Sequence, residues 1–369
     1  MPHQPLISQT IHGGNVWLHT NPGKLKSGSF LDFSSNVNPL GPPEKALRTI
    51  RENLWRITYY PEPDCQTLRE AIAEKNPGVR PENIVLGNGA TELIFLHAHA
   101  FLRGGDQALT PTPTFTEYRR AAEAAGCQVK SIHIGPQWGL KADTILEGLE
   151  SNTKVIYLCN PNNPTGKITP RDEMLRMLKA AEERGVYTVV DESFMDMVDG
   201  EKRYSTVTLL ERFERLFVVK SLTKLFCLPG LRLGYGAGSR SIAEKVMRVK
   251  PPWNVNCLAQ EAVKEALKDR RYLLKTRETL RRERKHLFES LSKMPRLNVY
   301  DSDVNFFLVD VRETGYTAQA LKLKLLNHNI LIRDCDDFEG LTPYFIRISV
   351  RTRAENDALI KILRKIAGG

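Results

Sequence analysis

The chain has 369 residues, 41% apolar and 26% charged, with a formal net charge of +10; this is the make-up of a soluble globular protein with room for about two domains. No apolar run approaches the ~18 residues of a membrane span and no charged-then-apolar leader opens the chain, so a cytoplasmic protein without a membrane partner is expected. The basic residues are dispersed among acids, as in KTRETLRRERKHLFES at 275–290, which reads as a solvated helix face and argues against a nucleic-acid groove, while the positive excess suits small anionic ligands.

The first forty-odd residues are irregular and rich in Gly, Pro and Asn, so they lie across the rest of the fold and do not fold alone. From about 84 to 250, short apolar runs alternate with helical patterns: NIVLG then TELIFLHAHAFL, DQALT then TEYRRAAEAAG, KVIYLCN then RDEMLRMLKAAEERG, followed by VYTVVDE, RLFVVKS and LRLGYGAG. That alternation predicts an α/β domain with a mostly parallel sheet covered on both faces. A long helical stretch is expected over roughly 257–293, then strands at DVNFFLVDV, ILIRDC and YFIRISV, a helix near 317–327 and a final amphipathic helix from about 353. Interspersed in this way, they form a small α+β domain. The expected division is 1–45 as an arm and part of the small domain, 46–255 as the large domain, and 256–369 as the C-terminal small domain with its connecting helix. Six cysteines, at 65, 127, 159, 227, 257 and 335, form no Cys-x-x-Cys pair; reduced thiols are expected, with neither a disulfide framework nor a metal site.

Four stretches carry chemistry. GNGATE at 87–92 follows an apolar run and opens a helical pattern, so it is either a plain turn or a place where the N–H groups of Ala90 and Thr91 converge on a phosphate. VVDES at 189–193 ends an apolar strand on Asp191, a helix cap or a buried carboxylate awaiting a cation. CNPNNPTG at 159–166 is a rigid turn in which Asn163 offers both a donor and an acceptor. SLTKLFCLPGLRLGY at 221–235 places Lys224 past a strand end beside Ser221, Thr223 and Arg232. A lone lysine is ordinarily solvated, but one that is desolvated among other cations becomes an imine-forming nucleophile. Together the four ask for a ligand with a phosphate, a ring nitrogen, a phenolic oxygen and an aldehyde, and pyridoxal 5'-phosphate meets all four demands.

The ordered set GNGATE, PNNPTG, DES, SLTK and GLRLGY resembles the fold-type I pyridoxal-phosphate enzymes of the aspartate aminotransferase superfamily, over nearly the whole chain. Within it the chain is most similar to the histidinol-phosphate aminotransferase-like proteins and, among these, to the L-threonine-O-3-phosphate decarboxylases of cobalamin biosynthesis. That finer likeness rests on IHGGN (11–15), DFSSNVNPLG (32–41), YYPEPD (59–64), PTFTEY (113–118), PPWNVN and LIRDC, and on Val37 and Phe194 where neighbouring aminotransferases usually carry Glu and Tyr. The resemblance implies a fold-type I transferase fold whose large domain binds the cofactor. It makes Lys224 the lysine that joins the cofactor and Asp191 the partner of its ring nitrogen. Asn163 would donate to its phenolic oxygen, Phe115 would stack on its ring, and Gly89, Ala90, Thr91, Ser221, Thr223 and Arg232 would surround its phosphate. Tyr60 would reach the phosphate of a neighbouring subunit, giving a homodimer with shared sites.

For the substrate, a small phosphorylated amino acid, the resemblance implies Arg347 as the carboxylate-binding arginine and His12, Gly13, Asn15, Asn36, Asn163 and Arg333 as further contacts, with Arg351 a weaker candidate for a phosphate clamp. The expected reaction is decarboxylation of L-threonine O-3-phosphate to (R)-1-amino-2-propanol O-2-phosphate for the cobalamin nucleotide-loop linker. Rival expectations are histidinol-phosphate transamination, decarboxylation of L-serine O-phosphate, and, in a different class, a non-catalytic cofactor-binding regulator.

Overall fold

The computed structural model describes residues 12–367. Thirteen strands run through them in chain order: β1 (Leu31–Asp32), β2 (Ile84–Gly87), β3 (Gln107–Thr112), β4 (Gln128–His133), β5 (Thr153–Cys159), β6 (Tyr187–Asp191), β7 (Leu216–Ser221), β8 (Gly234–Gly238), β9 (Asn298–Val299), β10 (Phe306–Asp310), β11 (Ile330–Leu331), β12 (Arg333–Asp334) and β13 (Phe345–Ser349). Two compact units emerge, one of Val37–Arg282 with Asp303–Asn305, the other of residues 12–36, Glu283–Ser302 and 306–367.

In the larger unit seven strands form one sheet in the order β2-β8-β7-β6-β5-β3-β4. β3 to β7 pair in parallel, and β8 alone runs antiparallel to its neighbours β2 and β7. This is the mostly parallel mixed α/β sheet that the alternating pattern predicts. β7 is buried along its whole length and β5 and β6 at all but one position, as strands covered on both faces must be. The helix Ala90–Phe101 contributes Leu93 and Ile94 to a core shared with Val85, Val155, Val189, Phe217 and Val219. His97, from the same helix, stacks on Phe101 at 4.7 Å and Phe217 at 5.3 Å; burial pushes its pKa down to about 3, so it packs as a neutral ring.

Three boundaries differ from the sequence pattern for local reasons. β4, QVKSIH, is not predicted at all, because at the sheet edge it is nowhere fully buried and shows no apolar run. The stretch expected as one helix over 257–293 is two helices, Cys257–Leu267 and Arg270–Leu291, because Asp269 accepts the backbone N–H of Tyr272 at 3.1 Å and starts the second. β8 begins only at Gly234, since Pro229–Leu231 form a 3-10 turn and Arg232 takes φ 54°.

In the smaller unit an antiparallel sheet runs β12-β13-β10-β9, and β1 pairs in parallel with β11. The run ILIRDC, expected as one strand, is divided between these two sheets at Ile332. Phe33, Phe307, Ile346 and Ile348 meet Leu287 and Leu291 of the long helix and Leu359 of the last one. The highly charged segment 275–290 is thus only partly a solvated face: Thr276, Thr279, Glu283 and Leu287 are buried at helical spacing.

Candidate active site

Because β3, β5, β6 and β7 are parallel, their carboxyl ends open on one edge of the sheet, where open α/β sheets collect ligands. The segments leaving those ends carry Phe115, Asn163, Asp191 and Lys224. β2 runs in the same sense, and the helix that follows it begins at Ala90.

That helix start is crowded in a way only glycine permits. Gly89 takes φ +92°, and a Cβ there would stand 2.5 Å from Nη2 of Arg232; a Cβ on Gly234 would stand 2.6 Å from the Ala90 nitrogen. Gly234 is in turn the cross-strand partner of both Ser221 and Gly87, and the Ser221 and Thr223 hydroxyls lie 3.0 Å apart. A helix N-terminus, a guanidinium and two hydroxyls thus converge, the donor set for a phosphate.

Asp191 ends β6 and is 4% exposed. Its Oδ1 accepts the Ser193 N–H at 2.9 Å and its Oδ2 accepts the Tyr118 hydroxyl at 2.8 Å. Burial raises its pKa, while those hydrogen bonds and the Lys224 charge pull it down. Behind it, the fully buried Glu192 accepts from Ser205 Oγ at 2.6 Å and Thr206 Oγ1 at 2.7 Å, and Lys220 pairs with Asp196 at 2.8 Å and Glu192 at 3.5 Å. This network ties together the chain on either side of Asp191 and Ser221. Of the two asparagines in the PNNPTG turn, Asn162 accepts from Thr114 Oγ1 at 2.8 Å and donates to the Pro113 carbonyl at 2.9 Å, joining the loops after β3 and β5; Asn163 is also buried.

The smaller unit brings another set together. Arg333 and Arg347 are direct cross-strand partners on β12 and β13, 3% and 5% exposed. Like charges opposite one another repel, and burial, with Arg333 nearby, pulls the Arg347 pKa down to about 10. Arg347 Nη2 donates to the Ser34 carbonyl at 2.7 Å. A Cβ on Gly13 would overlap that same carbonyl and come within 3.1 Å of Arg347 Nη2, so glycine is required at this step of IHGGN, whose first residue lies outside the described residues. Asn15 donates to the His12 carbonyl at 2.8 Å, and Asn36 is buried with its Oδ1 lacking a hydrogen-bond partner among the described residues. Arg333 is already held by Asp337, at 2.6 and 2.8 Å, and by Asp334; an anion bound there would have to share it. Arg351 pairs with Glu355 at 3.0 Å. Tyr60 is 79% exposed and lies against Trp253, ring centroids 4.6 Å apart.

The sequence model of the family "Aminotransferase class I and II" matches residues 29–363. The chain belongs to this family. A threonine-phosphate decarboxylase of Salmonella typhimurium is 34% identical over 98% of both chains. A histidinol-phosphate aminotransferase of Methanosphaera stadtmanae is 33% identical over 92% of this chain and 90% of its own. The crystal structure of the histidinol-phosphate aminotransferase from Clostridium acetobutylicum superposes with a TM-score of 0.85 at 30% identity, covering 92% of this chain and 99% of that one.

This class I and II aminotransferase-family enzyme uses pyridoxal 5'-phosphate, and the residues present fit that group. The glycine-lined cradle at Gly89, Gly234 and Arg232 matches its phosphate. The buried Asp191, whose pKa burial raises, matches a protonated ring nitrogen, the cation that restores its charge. Lys224 stands within electrostatic reach of Asp191. The sequence does not single out Tyr118: it lies inside PTFTEY, but nothing in the one-dimensional pattern shows that its hydroxyl meets a carboxylate 73 positions away.

Asp191 also yields a pH prediction. A buried carboxylate with a raised pKa binds its proton more tightly folded than unfolded, so stability is present below its ordinary pKa and lost as pH rises through the raised one. Cofactor-free Asp191→Asn is therefore expected to melt higher than cofactor-free wild type at pH 7, with the gap closing as pH falls. Calorimetry of both proteins across pH checks this, and a gap that widens toward acid sinks it.

Proposed function

We propose that this enzyme decarboxylates L-threonine O-3-phosphate, releasing CO2 and (R)-1-amino-2-propanol O-2-phosphate, the linker of the cobalamin nucleotide loop. The observation that carries the reading is the buried Arg333–Arg347 cross-strand pair, which suits a substrate bearing two anionic groups. The near end-to-end match to the Salmonella typhimurium decarboxylase supports it. Arg347 would take the substrate carboxylate in a bidentate pair, while Arg333, relieved in part of Asp337, would take the phosphate with His12 and Asn15. Gly13 and Asn36 complete the proposed substrate contacts.

The cofactor supplies an electron sink for the bond broken at Cα. In this reading Asp191 would keep its ring nitrogen charged, Asn163 would donate to its phenolic oxygen, Phe115 would cover its ring, and Lys224 Nζ or water would supply the proton that replaces CO2 at Cα. The two arginines would hold the substrate's two anionic groups and so limit the orientations it can take. Phe194 is buried three residues after Asp191 and brings no phenol. Phe194→Tyr is expected to lower the pH midpoint of the bound cofactor's visible absorbance, because a new donor stabilises its phenolate; a titration with no shift rejects that role.

The second reading, histidinol-phosphate transamination, is favoured by the TM-score of 0.85. The holoenzyme incubated with O-phospho-L-threonine is expected to release CO2, and with histidinol phosphate plus 2-oxoglutarate to form no glutamate. Keto-acid consumption without CO2 overturns the proposal. O-phospho-L-serine, one methyl smaller, is expected to be slower by about 10- to 200-fold in kcat/KM.

We also propose a homodimer in which Tyr60 reaches the partner's cofactor phosphate. Leu54, Trp55, Ile57, Tyr59, Tyr60 and Trp253 are all exposed in one unit, a concentration of large apolar side chains that suits a second copy of this chain. Sedimentation of wild type as a dimer and of Trp55→Glu as a monomer is expected; a monomeric wild type overturns it. A cytoplasmic location fits six cysteines that form no disulfide.

A further inference from the structure

Lys224 sits on a very short helix. Leu222–Leu225 spans four residues, and one turn of helix does not hold itself, because nucleation costs more than a single turn returns. The turn that follows supplies only part of what its end needs: the Leu228 N–H donates to the Thr223 carbonyl at 3.0 Å and the Cys227 N–H to the Lys224 carbonyl at a long 3.4 Å. Other parts of the larger unit must therefore set the direction of Lys224.

They do so through Asn38. This side chain is fully buried, and it belongs to the NVNPLG stretch, 187 positions before Leu225. Its backbone N–H donates to the Lys224 carbonyl at 3.1 Å. Its Nδ2, with two N–H donors, lies within hydrogen-bond distance of three oxygens, the Leu225 carbonyl at 2.9 Å, the Tyr272 hydroxyl at 2.9 Å and Thr276 Oγ1 at 2.8 Å, while its Oδ1 accepts the Leu40 N–H at 3.0 Å. The Tyr272 hydroxyl donates onward to the Gly41 carbonyl at 2.8 Å. Thr276 is also fully buried. An amide is the only side chain that offers two N–H donors and a carbonyl on one small planar group. A carboxylate in its place would set a negative oxygen against the Leu225 carbonyl, which can only accept, and would draw the Tyr272 hydroxyl proton away from the Gly41 carbonyl.

We propose that Asn38, backed by Tyr272 and Thr276, is a positioning residue for Lys224. By fixing two consecutive carbonyls of the lysine's helix it fixes the direction from which the amine approaches the cofactor, and so the protonation behaviour of the link between them. The proposal stands on the family's lysine chemistry and does not depend on the choice between decarboxylation and transamination.

The test uses holoenzyme of wild type, Asn38→Asp, Tyr272→Phe, Thr276→Val and Thr276→Ser. Each is read by melting temperature, by the pH midpoint of the cofactor's visible absorbance, and by kcat and KM. Tyr272→Phe and Thr276→Val preserve shape and carry the test if Asn38→Asp does not fold. The expected result is an absorbance midpoint displaced by about half a pH unit or more and kcat lowered about tenfold at nearly unchanged KM, with Thr276→Ser returning both to wild-type values. Variants that melt earlier yet keep the wild-type midpoint and kcat show a merely structural role and overturn the proposal. The absorbance midpoint decides even if no substrate is turned over, so this outcome is separable from failure of the decarboxylase reading.

Discussion

Lys224→Ala is expected to fold normally, to bind pyridoxal phosphate without a covalent link, and to lose turnover by about a thousandfold or more. The fold survives because what the protein grips here is backbone: the Lys224 carbonyl bonded by Asn38 and the Leu222 N–H bonded to the Leu233 carbonyl. Neither needs the side chain. The substitution also leaves Gly89, Gly234 and Arg232, the residues proposed to cradle the phosphate, unchanged, so cofactor is expected to associate and dialyse away. Borohydride reduction followed by peptide mass spectrometry checks the link, and CO2 release from O-phospho-L-threonine checks the rate. A variant that keeps wild-type turnover removes Lys224 from the chemistry. One that keeps full biological activity while losing the cofactor's imine absorbance points instead to a binding protein.

Arg347→Lys is expected to lower kcat/KM for O-phospho-L-threonine by about a hundredfold, mostly through KM, because a compact ammonium cannot reproduce the bidentate fork. Its pH dependence is the sharper signature. The surroundings of Arg347 pull even a guanidinium down to about 10, chiefly by burial, and arginine stays charged at neutral pH regardless. A lysine starts from about 10.4, so the same burial brings its titration into the neutral to mildly alkaline range. As pH rises through that range the ammonium loses its proton and its hold on the carboxylate, so KM of R347K is expected to climb between pH 7 and 9 where wild type stays flat. Initial-rate measurements over that interval decide it; parallel profiles for the two proteins would falsify the role assigned to Arg347.

An element is legible in the sequence to the extent that its signal is local. β5, β6 and β7 are legible because strands buried on both faces must be nearly continuous apolar runs, and their ends fall within one residue of where KVIYLCN, VYTVVDE and RLFVVKS end. β4 is not, since a half-exposed edge strand is free to carry Lys130 and Ser131. Several residues proposed for the cofactor are conspicuous for a related reason: they sit at the junction of an apolar strand and a turn, where the local geometry or burial singles out a rare residue type, such as Gly89 at φ +92° or the carboxylate of Asp191 at a strand end.

Periodicity and turn chemistry thus suffice for the α/β class and for the buried strands of its sheet, but not for the edge strand β4 or the division of ILIRDC between two sheets. Which groups meet is settled by the packing. It paired Tyr118 with Asp191, set Arg333 opposite Arg347 while giving Arg333 a competing carboxylate in Asp337, and brought Asn38 to the carbonyls of Lys224 and Leu225. The physical reason is that strand and helix periodicity is imposed locally by backbone geometry and burial, whereas a buried hydrogen bond needs only that two groups arrive at about 3 Å, whatever their separation in the chain.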